Sequence, residues 1–403
     1  MKIFAVVTVI VLAVALFGVI PGGELDFREV KHIVLEWSLA LFIALYFLKN
    51  KCLKLFLAWA LIRTALGSLE MVNPKLITAY IQNVNFSLHT IFVCLIFYQV
   101  VADRLNRHTI KWILNGLCII VLLQCLMMFL QRLGIWFYII PATNIDPLMT
   151  DRFLHFGAEA TYVSNWVQIF PMDQVRKVSG FLSHFNMAAS LLALGLPAFF
   201  RPKWYWGIPL VCLALFFSHS LGGIIPATLA LVALVCWKAG KHRYWIIPAV
   251  VSLCIAYVYK FDSFQNLLVG TGRIGTWNEL ITKIIPKRPI IGWGIGQYKL
   301  VFTSIHEAIS GTGYIRNRMV QAHNDWIQLF IDTGFIGFSL AVGFIISLIV
   351  KGFRAGTNIA KIALIGLMAT VLNSNVNFLF QTTPGIIGLL WFAILGKGEK
   401  YGN

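Results

Sequence analysis

About twelve stretches of roughly 20 mostly apolar residues recur along this 403-residue chain, each long enough to cross the hydrocarbon core of a bilayer as a helix. They lie near 3–20, 30–48, 54–72, 83–101, 111–132, 179–199, 204–219, 222–238, 244–259, 325–350, 358–375 and 383–396. The fold expected is an all-α polytopic membrane protein, residues 1–403 forming a single integral membrane domain. Composition agrees: 59% of residues are hydrophobic and 12% charged, against about 25% charged in a soluble domain. A water-soluble enzyme, a disordered chain and a disulfide-stapled secreted module are thereby excluded. The first run follows Lys2 without a small-x-small cleavage site after it, so it reads as the first span and not as a signal peptide. There is no internal repeat and no low-complexity segment.

The 33 basic and 16 acidic residues leave a net charge of +17, a value also seen in nucleic-acid binders. In so apolar a chain the excess marks loops beside an anionic leaflet, and no nucleic-acid partner is expected. With the N-terminus inside, every alternate loop is short and basic: Lys49, Lys51 and Lys54; Arg104, Arg107 and Lys111; Arg201 and Lys203; Lys238, Lys241 and Arg243; Lys351, Arg354 and Lys361. Lys397 and Lys400 follow the last run, which places both termini in the cytoplasm. Two long loops, 133–178 and 260–324, then face outward, the second expected to contain short helices. The second carries eight basic residues against three acidic ones. Two readings stand side by side for that surface: a solvated loop facing lipid headgroups, or a site for an anionic ligand such as a phosphate or pyrophosphate.

The seven cysteines, Cys52, Cys94, Cys118, Cys125, Cys212, Cys236 and Cys254, sit in or beside apolar runs and never at metal-ligand spacing. They read as small core residues, so neither a disulfide framework nor a metal site is implied. There is no P-loop, no dinucleotide fingerprint and no H-E-x-x-H, and no cofactor is expected. Acidic residues inside the runs are few, chiefly Glu36, Glu70 and Asp332 near their ends, which argues against a proton-driven pump.

The chemistry-bearing stretch runs from Gly270 to Gly337. Trp326, Ile327, Phe330 and Ile331 follow His323 at i+3, i+4, i+7 and i+8, so His323 stands at the N-terminal end of the tenth span. The positive end of a helix disfavours imidazolium there and keeps the ring able to accept a proton. The plainer reading is a helix-cap or interface histidine. Arg273, flanked by Gly272 and Gly275, lies one helical turn before Trp277. Its guanidinium fork suits phosphate, and a loop arginine facing headgroups is the plain alternative. Gly292-x-Gly294-x-Gly296 opens no βαβ unit and reads as a tight turn.

Taken in order, these residues resemble the C-terminal signature of the O-antigen ligase and polymerase superfamily, bacterial inner-membrane glycosyltransferases with a lipid-linked sugar donor. Arg273 and Trp277 match its G-R-x-x-x-W element, and Pro289, Gly292 and Gly294 its P-x-x-G-x-G. His323, Asn324, Gly334 and Gly337 are similar to its H-N and G-x-x-G pair, with nine residues between Asn324 and Gly334 here. Ser179-Gly180 through Asn186 and Ala189 to Pro197, and the closing run from Asn377 through Trp391 to Gly396, are similar to two more of its elements. The likeness covers about 176–396, a little over half the chain. The family's S-R-G turn reads Ser220-Leu221-Gly222 here, without its arginine, and Asp332 stands where glutamate is common.

The resemblance implies metal-independent, inverting transfer of a glycan from undecaprenyl pyrophosphate to an acceptor hydroxyl at the periplasmic face. His323 would act as general base, and Arg273 with Arg176 and Lys177 would bind the donor pyrophosphate, the latter pair standing in for the missing arginine. Asn186, Trp277, Asn324, Arg288, Arg316 and Arg318 would be further substrate contacts, with Lys287 a more distant one. Implied partners are the lipid-linked donor, the lipid A core and the bilayer. Three acceptor uses are compatible with this pattern: a ligase acting on the lipid A core, a polymerase extending the lipid-linked chain, and a ligase that glycosylates protein. A lipid-linked sugar transporter is the remoter alternative, disfavoured because the polar residues lie in external loops and not at the membrane midplane.

Overall fold

The computed structural model describes residues 48–70, 91, 94–133, 138–141, 158–163, 166–171, 178, 180, 182, 185–238, 273–298, 301–302, 322–377, 379–382 and 384–397. The expected runs near 3–20, 30–48 and 244–259 fall outside them, apart from residue 48, as does most of 83–101. The helices are α1 (Lys51–Glu70), α2 (Arg107–Arg132), α3 (Phe185–Gly195), α4 (Gly207–Ser218), α5 (Leu221–Lys238), α6 (Arg273–Glu279), α7 (Asp325–Ala355), α8 (Asn358–Ser374) and α9 (Gly385–Lys397), with a further helical stretch at 94–104. Three of these, α2, α5 and α7, are long and apolar enough to cross a membrane, and α3, α4, α8 and α9 are shorter apolar helices on the expected runs. The chain is a helical membrane protein.

One element was not expected. The first long loop, 133–178, carries a three-stranded antiparallel sheet of β1 (Tyr138–Pro141), β2 (Ala158–Val163) and β3 (Trp166–Pro171), in the order β1-β3-β2. Tyr138 pairs with Ile169 and Pro141 with Trp166, while Ala158 pairs with Pro171 and Val163 with Trp166. The β-branched and aromatic residues of Tyr162–Val163 and Trp166–Phe170 favour strands, but runs this short do not stand out beside the long apolar spans.

The chain divides into two compact units interleaved in sequence: residues 1–104 with 265–351, and 105–264 with 352–403. In the second unit α3 is the central helix. Every residue from Ala188 to Phe199 is buried, and α2, α4, α5, α8 and α9 pack around it. Close approach is set by small residues. A Cβ on Gly223 of α5 would run into Ala189 of α3, and one on Gly366 of α8 into the Trp391 ring of α9. A buried polar knot ties three helices together. Asn373 of α8 donates to the Gly222 carbonyl (2.8 Å) and accepts from the Ser190 hydroxyl (3.0 Å), while Asn377 donates to Ser190 Oγ (3.2 Å). Polar groups in an apolar bundle persist when paired in this way.

In the first unit the governing feature is a break in α7. Gly334 has φ 65° and ψ −171° inside an otherwise continuous helix. In an unbroken helix the N–H groups of Phe335 and Ile336 would donate to the carbonyls of Ile331 and Asp332. They donate instead to Pro289 (2.8 Å) and Ile290 (3.3 Å), and the two abandoned carbonyls accept from Trp293 and Gly294 (2.8 Å each). The segment 289–294 is thus inserted into the helix as a ribbon. Only glycine permits this approach: a Cβ on Gly292 would strike the Gly334 amide nitrogen, and one on Gly334 the Ile290 carbonyl oxygen. Both glycines also have positive φ. From α1, Arg63 donates its Nε–H to the Gly292 carbonyl (2.8 Å) and Trp59 its indole N–H to the Thr333 carbonyl (2.8 Å).

Two stability tests follow from these contacts. Gly334→Ala, which adds both the clash and the left-handed penalty, is expected to abolish recovery of folded protein. Gly343→Ala in the same helix meets only the Cys52 sulfur at 3.6 Å and is expected to match wild type on size-exclusion chromatography. Asn373→Leu strands the Gly222 carbonyl and is expected to cost about 1–3 kcal/mol, read as a lowered Tm in detergent. The exposed Asn375→Leu is expected to change stability by no more than about 0.5 kcal/mol.

Candidate active site

The residues of the 270–337 stretch gather around one small core in the first unit. Leu280, Ile284, Tyr298, Val301, Ala322 and Ile331 are buried together, with Trp277, Trp293, Phe302 and Ile327 packed against them. α6 supplies the first side: it loosens into a π-turn at Leu280–Ile284 and tightens into a 3-10 turn at Ile285–Lys287 containing Pro286. The Gly294-x-Gly296 turn supplies the second. Asp332 is the anchor of that turn. Its Oδ2 accepts from the Gly296 N–H at 3.0 Å. A side-chain carboxyl bonded to a backbone N–H fixes the turn, and Tyr298, two residues on, joins Ala322 in the buried cluster. Burial pushes the Tyr298 phenol far above its ordinary pKa, with the charges of Asp332 and Glu279 adding to the shift.

The third side is the start of α7. Asn324 is its N-cap: its side-chain oxygen accepts from the N–H groups of Trp326 and Ile327, both at 3.0 Å. Two residues further back, the Ala322 N–H donates to Gln328 Oε1 (3.3 Å), and the Ala322 carbonyl accepts the Trp277 indole N–H at 2.8 Å. His323 lies between these two fixed points, half-buried, with φ 51°. A left-handed non-glycine residue costs on the order of 1–2 kcal/mol, and such strain persists where surrounding contacts impose it. Here the imposing contacts are the cap on one side and the Trp277 bond on the other.

Arg273 is the first residue of α6, four before Trp277 and so on the same helix face. It is half-buried, and desolvation lowers the pKa of its guanidinium from the ordinary arginine value. Loss of water around a cation strengthens its pull on any anion that reaches it. Arg288 lies over the Trp293 ring at 4.6 Å, and its carbonyl accepts the Gly292 N–H.

Of the residues expected at the site, Arg273, Trp277, Arg288, His323 and Asn324 therefore belong to this one neighbourhood. The side-chain oxygen of Asn324 is committed to the helix cap, and the indole N–H of Trp277 to Ala322. Asn186 belongs to the second unit, at the start of α3. Its Oδ1 accepts from the Ser220 hydroxyl at 2.7 Å, and its carbonyl from Ser190. Leu221, where the family's arginine is missing, is a buried residue opening α5. His219 ends α4 in a left-handed cap with its ring against Phe216. Arg176, Lys177, Arg316 and Arg318 lie outside the described residues. Among the described residues no group of three or more His, Cys, Asp and Glu side chains is placed to hold a metal ion.

Sequence reasoning missed Trp59, Arg63 and Tyr298, and gave Asp332 no structural role. Arg63 carried a legible signal, a cation in the middle of the 54–72 apolar run, since intramembrane charge is expensive and rarely idle. Trp59 and Tyr298 carried none, because aromatic residues are abundant in every span.

A family profile described as O-antigen ligase matches residues 206–342. The matched stretch includes Arg273, Trp277, the Gly292–Gly296 turn, His323, Asn324 and the Gly334 break. It excludes the Asn186 run and the closing run from Asn377. No match is found among curated proteins. Over residues 206–342, about a third of its length, this helical membrane protein is similar to the O-antigen ligase family.

Proposed function

We propose that the protein is an O-antigen ligase, a glycosyltransferase that moves polysaccharide from undecaprenyl pyrophosphate to a sugar hydroxyl of the lipid A core. The observation that carries this reading is the fixed left-handed turn at His323, linked through Ala322 to the helix that bears Trp277 and Arg273. In this reading the neutral imidazole takes the acceptor hydroxyl proton as the oxygen attacks the anomeric carbon. The bond from that carbon to the pyrophosphate oxygen breaks in the same step. The charge developing on the leaving undecaprenyl pyrophosphate is met by Arg273, with Arg176 and Lys177 as further cations. A single displacement inverts the anomeric configuration, and no metal takes part. Arg288, Arg316 and Arg318 steer the anionic substrates. The protein sits in the bacterial inner membrane with both termini cytoplasmic and the 260–324 loop in the periplasm.

Removal of the base is expected to lower the transfer rate roughly 10²–10⁴-fold. His323→Ala that inserts normally and transfers glycan at the wild-type rate would refute this role. Arg273→Glu is expected to weaken use of the lipid-linked donor at unchanged expression, and equal donor dependence in the two proteins would remove Arg273 from the pyrophosphate site. The acceptor is tested by reconstituting the purified protein in liposomes with lipid-linked polysaccharide, with and without lipid A core. Transfer that requires the core is the expected result. Lengthening of the lipid-linked chain without it would make the protein a polymerase.

A further inference from the structure

The second unit carries a feature that glycan transfer does not use. At one end of the membrane-length helix α5, the Trp237 ring lies beneath two ammonium groups, Lys238 Nζ at 5.3 Å and Lys361 Nζ at 5.2 Å from its centroid. Lys238 also stands 5.9 Å from the Tyr205 ring. The indole face attracts each cation, but two like charges on one ring repel each other, and the repulsion grows as water is withdrawn. The C-terminal end of α5 favours Lys238, which lies in its last turn, but the helix termini do not help Lys361. Lys361 lies in the first turn of α8, which holds no acidic residue, so the positive end of that helix adds to its charge. Nor does a carboxylate: among the described residues of this unit the only acidic one is Glu159, in strand β2. Arg201, by contrast, is satisfied by Asn115, Cys118 and the Ala198 carbonyl. Among the described residues of this unit, the two lysines on Trp237 are therefore a cationic pair without a carboxylate beside them.

The surroundings say what kind of anion fits. Trp204 and Trp206 stack beside Tyr205, with Trp206 exposed, in the manner of an interfacial aromatic belt. Val235, three residues before Lys238 and on the same face of α5, is exposed, and the run it belongs to is a candidate membrane span. A polar anion next to an outward-facing apolar helix surface describes an amphiphile and not a free ion. We infer that Lys238, Lys361 and Trp237 form a binding site for an anionic phospholipid, its headgroup phosphate held by the two ammonium groups and its acyl chains lying along α5. With the orientation proposed above, this lipid belongs to the cytoplasmic leaflet, away from the glycan-transfer site.

The test uses the full-length protein in phosphatidylcholine nanodiscs doped with phosphatidylglycerol, the lipids retained after exchange into detergent being counted by native mass spectrometry. Wild type is expected to retain phosphatidylglycerol in preference to phosphatidylcholine. Lys238→Gln and Lys361→Gln are each expected to lower that preference roughly fivefold, and Lys238→Arg with Lys361→Arg to keep it. Lys283→Gln, in the other unit, serves as the control and is expected to leave it unchanged. Equal retention by wild type and both glutamine variants overturns the proposal. Loss of the preference when inorganic phosphate is added at moderate ionic strength, with no loss on adding chloride, assigns the pair to a free phosphate and overturns it as well. Retention is read without any glycan substrate, so failure here leaves the transfer reaction untouched, and failure of transfer leaves this site untouched.

Discussion

A helix broken inside a membrane protein has to find new partners for the backbone groups it frees, because hydrocarbon offers none. In this chain the break at Gly334 and the ribbon 289–294 answer each other bond for bond. Two N–H groups of α7 are given to Pro289 and Ile290, and two carbonyls are taken up by Trp293 and Gly294. The insertion fixes the Gly292–Gly296 turn against α7, and through Asp332 it fixes the start of the segment that carries Tyr298.

The arrangement separates support from chemistry. Trp59 and Arg63 of α1, Asp332 of α7 and the facing glycines hold backbone to backbone. The indole N–H of Trp277 and the side-chain oxygen of Asn324, residues that resemble substrate contacts when read from the sequence, are spent on the backbone either side of His323. In the function proposed above, the chemistry falls to a histidine in a constrained turn and a half-buried arginine on the Trp277 helix. Such a division is expected where a site must be held to a membrane scaffold: its small apolar core is joined to rigid helices by polar bonds.

The second unit solves a different problem. Its helices approach closely through Gly223 and Gly366, and a charge-free knot of Ser190, Ser220, Asn186, Asn373 and Asn377 joins α3, α5 and α8 where the family's S-R-G turn would place an arginine. With Leu221 buried at that point, the polarity of the turn is carried by hydroxyls and amides. These pair internally and need no counter-ion in an apolar bundle.

The sequence by itself determined the class of protein, because a span must be roughly 20 apolar residues long and that pattern survives without any knowledge of contacts. It also carried the resemblance to a family, because the spacing of Arg273, Trp277, Gly292, His323 and Gly334 is a linear property. It left the sheet of the first loop unseen, since strands of four to six residues leave a short signal beside long apolar runs. Only the tertiary structure decided why those glycines are glycines, and that Trp277 and Asn324 point their polar atoms at the backbone around His323. It alone brought in Arg63 from more than two hundred positions away. These are hydrogen bonds between distant segments, whose partners are chosen by proximity in the folded chain, and periodicity along a single segment carries no record of them.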